Sequence, residues 1–198
     1  MTKQTGKKLS ETTIKTPPFR LDWPALLAPS KAKDAPADQA AKYSVKMVFE
    51  DTNTDYALLR GIVEEAAKSV GGIKKTKKNR RGLSEVEDDD KILRYGENCH
   101  MANATSKFKP AVVDAQRQPI EDESQIIPGS YAVAVINAYS YDFKGKGVAY
   151  GLQAIQLLGG GSRFAGGGGG VDVNEVFDDE ESMGATVEPE DTDDGDGW

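Results

Sequence analysis

The chain has 198 residues, 38% of them hydrophobic, with one cysteine, one histidine and a formal net charge of -7. That length suits one ordinary domain with tails, a lone Cys99 excludes an intrachain disulfide or a cysteine-based zinc site, and no apolar run approaches the roughly 20 residues a membrane span needs. The charge is unevenly spread: 12 of the 32 acids fall in Val171–Trp198, which has no Lys or Arg, so the other residues set 20 acids against 25 bases and a body of +5 carries a tail of -12. A basic body with an acidic tail points to a polyanionic partner and an internal competitor for it.

Residues 1–13 are polar and Lys/Thr-rich and are expected to be a flexible arm; Lys3, Lys7 and Lys8 precede no apolar signal core, so a soluble, cytosolic protein is expected. The first strand is expected near Ile14–Leu21, delayed or held at an edge by Pro17-Pro18. Trp23 to Gln39, with Pro24, Pro29 and Pro36, reads as a loop in which Trp23 and Phe19 either anchor the segment by packing, the commoner role, or offer a stacking platform. Lys42–Glu50 alternates, with Tyr43, Val45, Met47 and Phe49 on one face and Lys42, Ser44 and Lys46 on the other, as in a half-buried strand. Tyr56–Val70 places Leu58, Leu59, Ile62, Val63 and Ala66 at helical spacing, and Gly71-Gly72 ends the run.

From Lys74 to Arg81 the sequence KKTKKNRR puts six positive charges in eight residues, and EVEDDD from Glu85 to Asp90 answers with five negative ones. Both read as solvated, mobile loop, the basic part able to close over a phosphate backbone. Lys91–Tyr95 and Glu97–Phe108 read as strands, the second ending in the interleaved Lys107-Phe108-Lys109. Turns follow around Gln116–Gln118 and Pro128-Gly129. His100, with no partner motif, is a weak site signal.

Ser130–Leu158 carries the clearest pattern. Tyr131, Val133 and Val135 share one face, Ala132 and Ala134 the other, and Tyr139, Tyr141 and Phe143 continue the first face at the same period. Lys144-Gly145-Lys146-Gly147 is a turn, and Val148, Tyr150 and Leu152 resume the alternation, predicting a β-hairpin. Rings and lysines meet at its tip, a combination that suits unpaired bases on a phosphate chain; barrel core is the competing reading for each ring. Residues 159–170 (GGGSRFAGGGGG from Gly159) are a Gly-rich linker without the spacing of a phosphate loop, and 171–198 are too charged to bury and are expected to be disordered. The roughly 40 residues from Gly159 on would span about 35 Å, enough to lie across any groove on a body whose radius of gyration is about 15 Å. Trp198, after the acidic run, suits a hook for a partner's pocket.

Tyr43-Ser44-Val45, NATSKFKPAVVDAQRQPI from Asn103 to Ile120, Pro128-Gly129-Ser130-Tyr131, and Lys146-Gly147-Val148-Ala149-Tyr150-Gly151-Leu152 with Ile155-Gln156 resemble landmarks of the phage-type single-stranded DNA-binding proteins. The resemblance covers about Phe19–Leu158 and the composition of the tail. It implies a mainly β chain with one or two helices: an OB-fold-like five-stranded barrel over 14–158 with extended loops and a disordered acidic tail. It also implies sequence-independent binding of single-stranded DNA in viral replication, recombination or repair, in the cytoplasm of the infected host. On this reading Phe108, Tyr139, Tyr141, Phe143 and Tyr150 stack on bases. Lys46, Lys74, Lys75, Lys77, Lys78, Arg80, Arg81, Lys107, Lys109, Lys144 and Lys146 meet phosphates. The tail, through Asp191, Asp193, Asp194, Asp196 and Trp198, recruits replication or recombination proteins and competes for the groove. No catalytic residue, metal or cofactor is implied. The exposed edges of an open barrel leave room for a homodimer.

Three other readings stand beside this one. A metal-dependent nuclease would draw on Glu85, Glu87, Asp88, Asp89 or Asp90 with Lys91, although these carboxylates are not dispersed on strands. A DNA-mimicking interaction protein or virion component would rest on the tail. Strand annealing would use the same groove as DNA binding.

Overall fold

A computed structural model describes residues 6–31, 35–50, 53–77 and 80–164. In chain order the strands are Lys7–Lys8 (β1), Thr13–Lys15 (β2), Phe19–Ser30 (β3), Lys42–Glu50 (β4), Leu83–Glu85 (β5), Cys99–Ser106 (β6), Ala111–Val113 (β7), Tyr131–Asp142 (β8) and Lys146–Gly159 (β9). Two α-helices, Asn53–Ala67 (α1) and Asp89–Tyr95 (α2), complete them. Strands β3, β4, β6, β9 and β8 pair in that order, and β8 returns to β3, so five strands close a ring. All its contacts are antiparallel except β6–β9, where Ala104 faces Tyr150 and Thr105 faces Gly151 in parallel register. This is the mainly β arrangement expected, with two helices and five strands closed into a ring.

The inner faces supply the core: Phe19 and Leu21 of β3, Val45, Met47 and Phe49 of β4, Ala102 and Ala104 of β6, and Val148, Tyr150 and Leu152 of β9. From β8 the core takes Ala132, Ala134, Ile136 and Ala138, not the face of Tyr131 and Val135. The reason lies in the register. Tyr150 stands between Ala138 on one neighbour and Ala104 on the other, so small residues make room for its ring. Alternation identifies two faces but not which one a bulky residue on the next strand will claim. Leu59, Ile62, Val63, Ala66 and Ala67 of α1 join the same core against β8 and β9, and the chain leaves through a 3-10 turn at Lys68–Val70 and a left-handed Gly71.

Several expectations are corrected here. The proline-bearing stretch after Trp23 is strand rather than loop as far as Ser30, while 35–39, with Pro36, are coil and turn as expected. Beyond Leu21, β3 pairs with β4 alone among the described residues, and its register shifts between Asp22 and Ala25 and again before Ser30, so Pro24 and Pro29 forfeit no required ladder bond. Lys91–Tyr95 is helix, because Asp88 caps it by accepting from the Asp90 N–H and Gly96 stops it. In the arm, Lys7 and Lys8 pair with Lys15 and Ile14. The start of the Gly-rich linker is docked: Phe164 is buried in a second cluster with Val48, Val86, Tyr95, Cys99 and Met101 outside the ring. Gly129 and Gly161 allow that segment to cross; a Cβ on Gly129 would fall 2.2 Å from the Ser162 carbonyl oxygen. The disordered-tail expectation for 171–198 lies outside the described residues.

Candidate nucleic-acid interface

On the outward face of the β8–β9 hairpin the register sets large residues against small ones. Asn137, Tyr139 and Tyr141 of β8 lie opposite Gly151, Ala149 and Gly147 of β9. The pairing is obligatory in two places: a Cβ on Gly147 would sit 2.4 Å from the Tyr141 ring, and one on Gly151 would sit 2.5 Å from the Asn137 Oδ1. Tyr139, opposite Ala149, remains 43% exposed. A ring over a low, backbone-lined floor leaves space for a flat guest beside it.

That space is an open groove of about 420 Å3 lined by Thr105 to Pro110, Asn137, Tyr139 and Gly151 to Gln153. It arises where β6, β9 and β8 adjoin and where the Lys107-Phe108-Lys109 segment leaves β6. Phe108 is 83% exposed and its N–H donates to the Ser106 Oγ, which fixes the backbone beneath the ring. The groove therefore unites Lys107, Phe108, Lys109 and Tyr139 of the expected residues. It adds Thr105, Ser106, Asn137 and Gln153, which carry neither ring nor charge and so left no sequence signal.

The hairpin tip is a second part. Phe143 is exposed, Lys144 lies 5.5 Å from its ring centroid, and the turn uses left-handed backbone at Lys144 and Gly145. Arg80 donates to the Phe143 and Gly145 carbonyl oxygens at 3.1 and 3.2 Å, so this end of the basic run is fastened to the tip, contrary to a freely mobile loop. Arg81 donates to the Thr76 hydroxyl, and Lys74, Lys75 and Lys77 are exposed. Lys78 lies outside the described residues, as do Asp191, Asp193, Asp194, Asp196 and Trp198.

Two expected DNA contacts are corrected, and a third, Lys46, is placed apart from the groove. Tyr150 is fully buried and presents no face to a base. Lys146 turns inward and donates to the Val70 carbonyl oxygen at 2.9 Å, joining the hairpin to the end of the helical segment. Lys46 donates to the Tyr95 hydroxyl at 3.2 Å, and burial, opposed by Asp22, lowers its pKa from the ordinary 10.5. Lys46 belongs to a network on the outer side of β3 and β4. Asp22, 1% exposed, accepts from Arg94 at 2.8 Å and from the Tyr95 hydroxyl at 2.6 Å. Above it Trp23 is 63% exposed, with Arg94 Cζ 5.5 Å from its ring centroid. Neither α2 nor its link to Asp22 is visible as a sequence spacing, since 72 residues separate Arg94 from its partner.

Most of the carboxylates of EVEDDD lie on short elements of the fold. Asp88 caps α2, Asp89 and Asp90 occupy its first turn, and Glu85 ends β5.

The family model described as "Enterobacter phage Enc34, ssDNA-binding protein" matches residues 12–187. Protein p50 of Acyrthosiphon pisum secondary endosymbiont phage 1 is 27% identical over 185 residues, covering 84% of this chain and 92% of its own. Among solved structures, the single-stranded DNA-binding protein of bacteriophage Enc34 in complex with ssDNA superposes with a TM-score of 0.66 at 20% identity, over 83% of this chain and 100% of that one. The gp2.5 single-stranded DNA-binding protein of bacteriophage T7 gives 0.53 at 14% identity, over 85% and 98%.

Proposed function

The chain belongs to the Enterobacter phage Enc34 ssDNA-binding protein family, and from that premise we propose that it binds single-stranded DNA without sequence preference and without catalysis. The observation that carries this reading is the groove in which Phe108 and Tyr139 stand exposed beside Lys107 and Lys109. Rings stack on any base and ammonium groups meet any phosphate, so such a site is sequence-tolerant. The exposed Phe143 and Lys144 and the adjoining Lys74, Lys75 and Lys77 extend the positive, ring-bearing surface around the hairpin tip.

The biological setting follows from the same reading: replication, recombination or repair of phage DNA in the host cytoplasm. The acidic segment 171–198 competes with DNA for the basic surface and recruits replication proteins through Asp191, Asp193, Asp194, Asp196 and Trp198. Binding to oligo-dT and to duplex of equal length, measured by anisotropy of labelled DNA, tests the central claim. Single-stranded DNA is expected to bind more tightly, with log affinity falling by about 0.7 per neutralised phosphate for each unit of log salt. Phe108→Ala and Tyr139→Ala are each expected to weaken binding by about 1–3 kcal/mol. Salt-independent affinity, or two variants that bind like wild type, would overturn the assignment.

A further inference from the structure

Resting on that reading, we propose that Trp23 is a second base-stacking platform for single-stranded DNA, separate from the groove at β6, β9 and β8, with Arg94 as the positioning residue behind its indole. A tryptophan in a strand ordinarily packs its ring, as the sequence alone suggests here. Trp23 instead leaves 63% of itself exposed and adopts a φ of +45°, a region that bulky side chains rarely occupy.

The cause is a bulge. Asp22 faces Lys46 and Ala25 faces Ser44, so Trp23 and Pro24 together stand opposite the single residue Val45. An extra residue re-aims its side chain. The indole that alternation would send inwards beside buried Val45 is turned out.

What surrounds the ring suits a nucleotide. Arg94, held by buried Asp22, lies within cation–π distance of one side of the indole at 5.5 Å. Two cations, Arg94 and Lys46, stand beside the one buried carboxylate of Asp22, Arg94 bonded to it and Lys46 to the Tyr95 hydroxyl that it also holds, while Lys91 is paired with Asp88. Between Trp23 and the groove, the outward register positions are Ser44 and Lys46 on β4 and Asn103 and Thr105 on β6, a polar strip leading to Gly151 on β9. At about 4.8 Å per strand, β3 lies about 14 Å from β9 along the route through β4 and β6. A strand with bases on both Tyr139 and Trp23 crosses that strip, so oligonucleotides long enough to do so gain from Trp23.

The full-length protein contains two tryptophans, Trp23 and Trp198, so in Trp198→Phe all indole emission reports on Trp23. This variant is titrated with oligo-dT of about 4 and about 16 nucleotides, the range of site sizes for such folds, while anisotropy of the labelled DNA reports binding independently. The long oligonucleotide is expected to quench Trp23. Trp23→Ala in the otherwise native chain is expected to weaken long-oligonucleotide binding about 5- to 150-fold and to leave the short one unchanged, which also shows that the variant is folded. Arg94→Gln is expected to reduce the quenching. Steady Trp23 emission while anisotropy shows the long oligonucleotide bound, or a Trp23→Ala variant that binds it like wild type, would overturn the platform while leaving DNA binding intact. No anisotropy change with any oligonucleotide would overturn both readings together.

Discussion

Tyr95 joins the two sides of the second cluster: its ring meets Phe164 edge-on at 5.0 Å, and its hydroxyl donates to Asp22 at 2.6 Å. Burial, reinforced by the Asp22 carboxylate, raises its pKa above the ordinary 10.0; burial and then Glu50 do the same for Tyr131. A tyrosine whose folded pKa is raised contributes stability that is fully present below the unfolded value near 10 and is lost as pH climbs through the folded one. Tyr95→Phe is therefore expected to lower stability at neutral pH by about 1.5–3 kcal/mol, the range for a hydrogen bond to a charged group. It is also expected to flatten, without abolishing, the fall in melting temperature above pH about 10, since Tyr131 still ionises. Melting curves against pH check both. None of this was legible in the sequence, where Tyr95 reads as one residue of a strand. The groove residues Phe108 and Tyr139 were legible because an exposed ring beside lysines is a local signal. The misplacement of Tyr150 was built into the same logic: its spacing matches Val148 and Leu152, and only the alanines on its two neighbouring strands show that the ring goes in.

Among the elements, the hairpin and α1 could be read directly because each carries its own period over more than ten residues. The elements that were missed are short or depend on distant partners. Helix α2 has seven residues, too few for periodicity to separate Ile92 and Tyr95 at helical spacing from a strand. The strand character of β3 is imposed by β4, which overrides the local preference of its prolines. The docking of Gly159 to Phe164 is likewise non-local: Arg20 donates to the Ser162 carbonyl oxygen and lies 4.1 Å from the Phe164 ring centroid. Phe164→Ala empties the middle of the second cluster. It is expected to cost about 3 kcal/mol, the lower end for a buried phenylalanine, and so to lower the melting temperature by roughly 6–12 °C. Amide exchange should accelerate over residues 160–164 while the hairpin stays protected. A melting temperature and exchange pattern like the wild type would show that Phe164 holds nothing down.

For the whole molecule, the separation of charge between a basic body and 12 acids in Val171–Trp198 is the property read most securely from sequence. Deleting 171–198 is expected to tighten oligo-dT binding at low salt and to leave much less difference at high salt, because a competing polyanion is screened along with the DNA it imitates. Equal or weaker affinity in the truncated chain would argue against competition. Ring closure bears on a different risk. Among the described residues, strand edges without a second partner lie on β1, β5 and β7, which are two or three residues long, on the outer half of β3, where Pro24 and Pro29 have no N–H to offer, and on the tip of the β8–β9 hairpin, where 139–142 and 146–149 pair only with each other. Along most of their length the five ring strands find partners in one another, so an adjacent copy meets only short edges to zip onto, which lowers the risk of amyloid-like stacking.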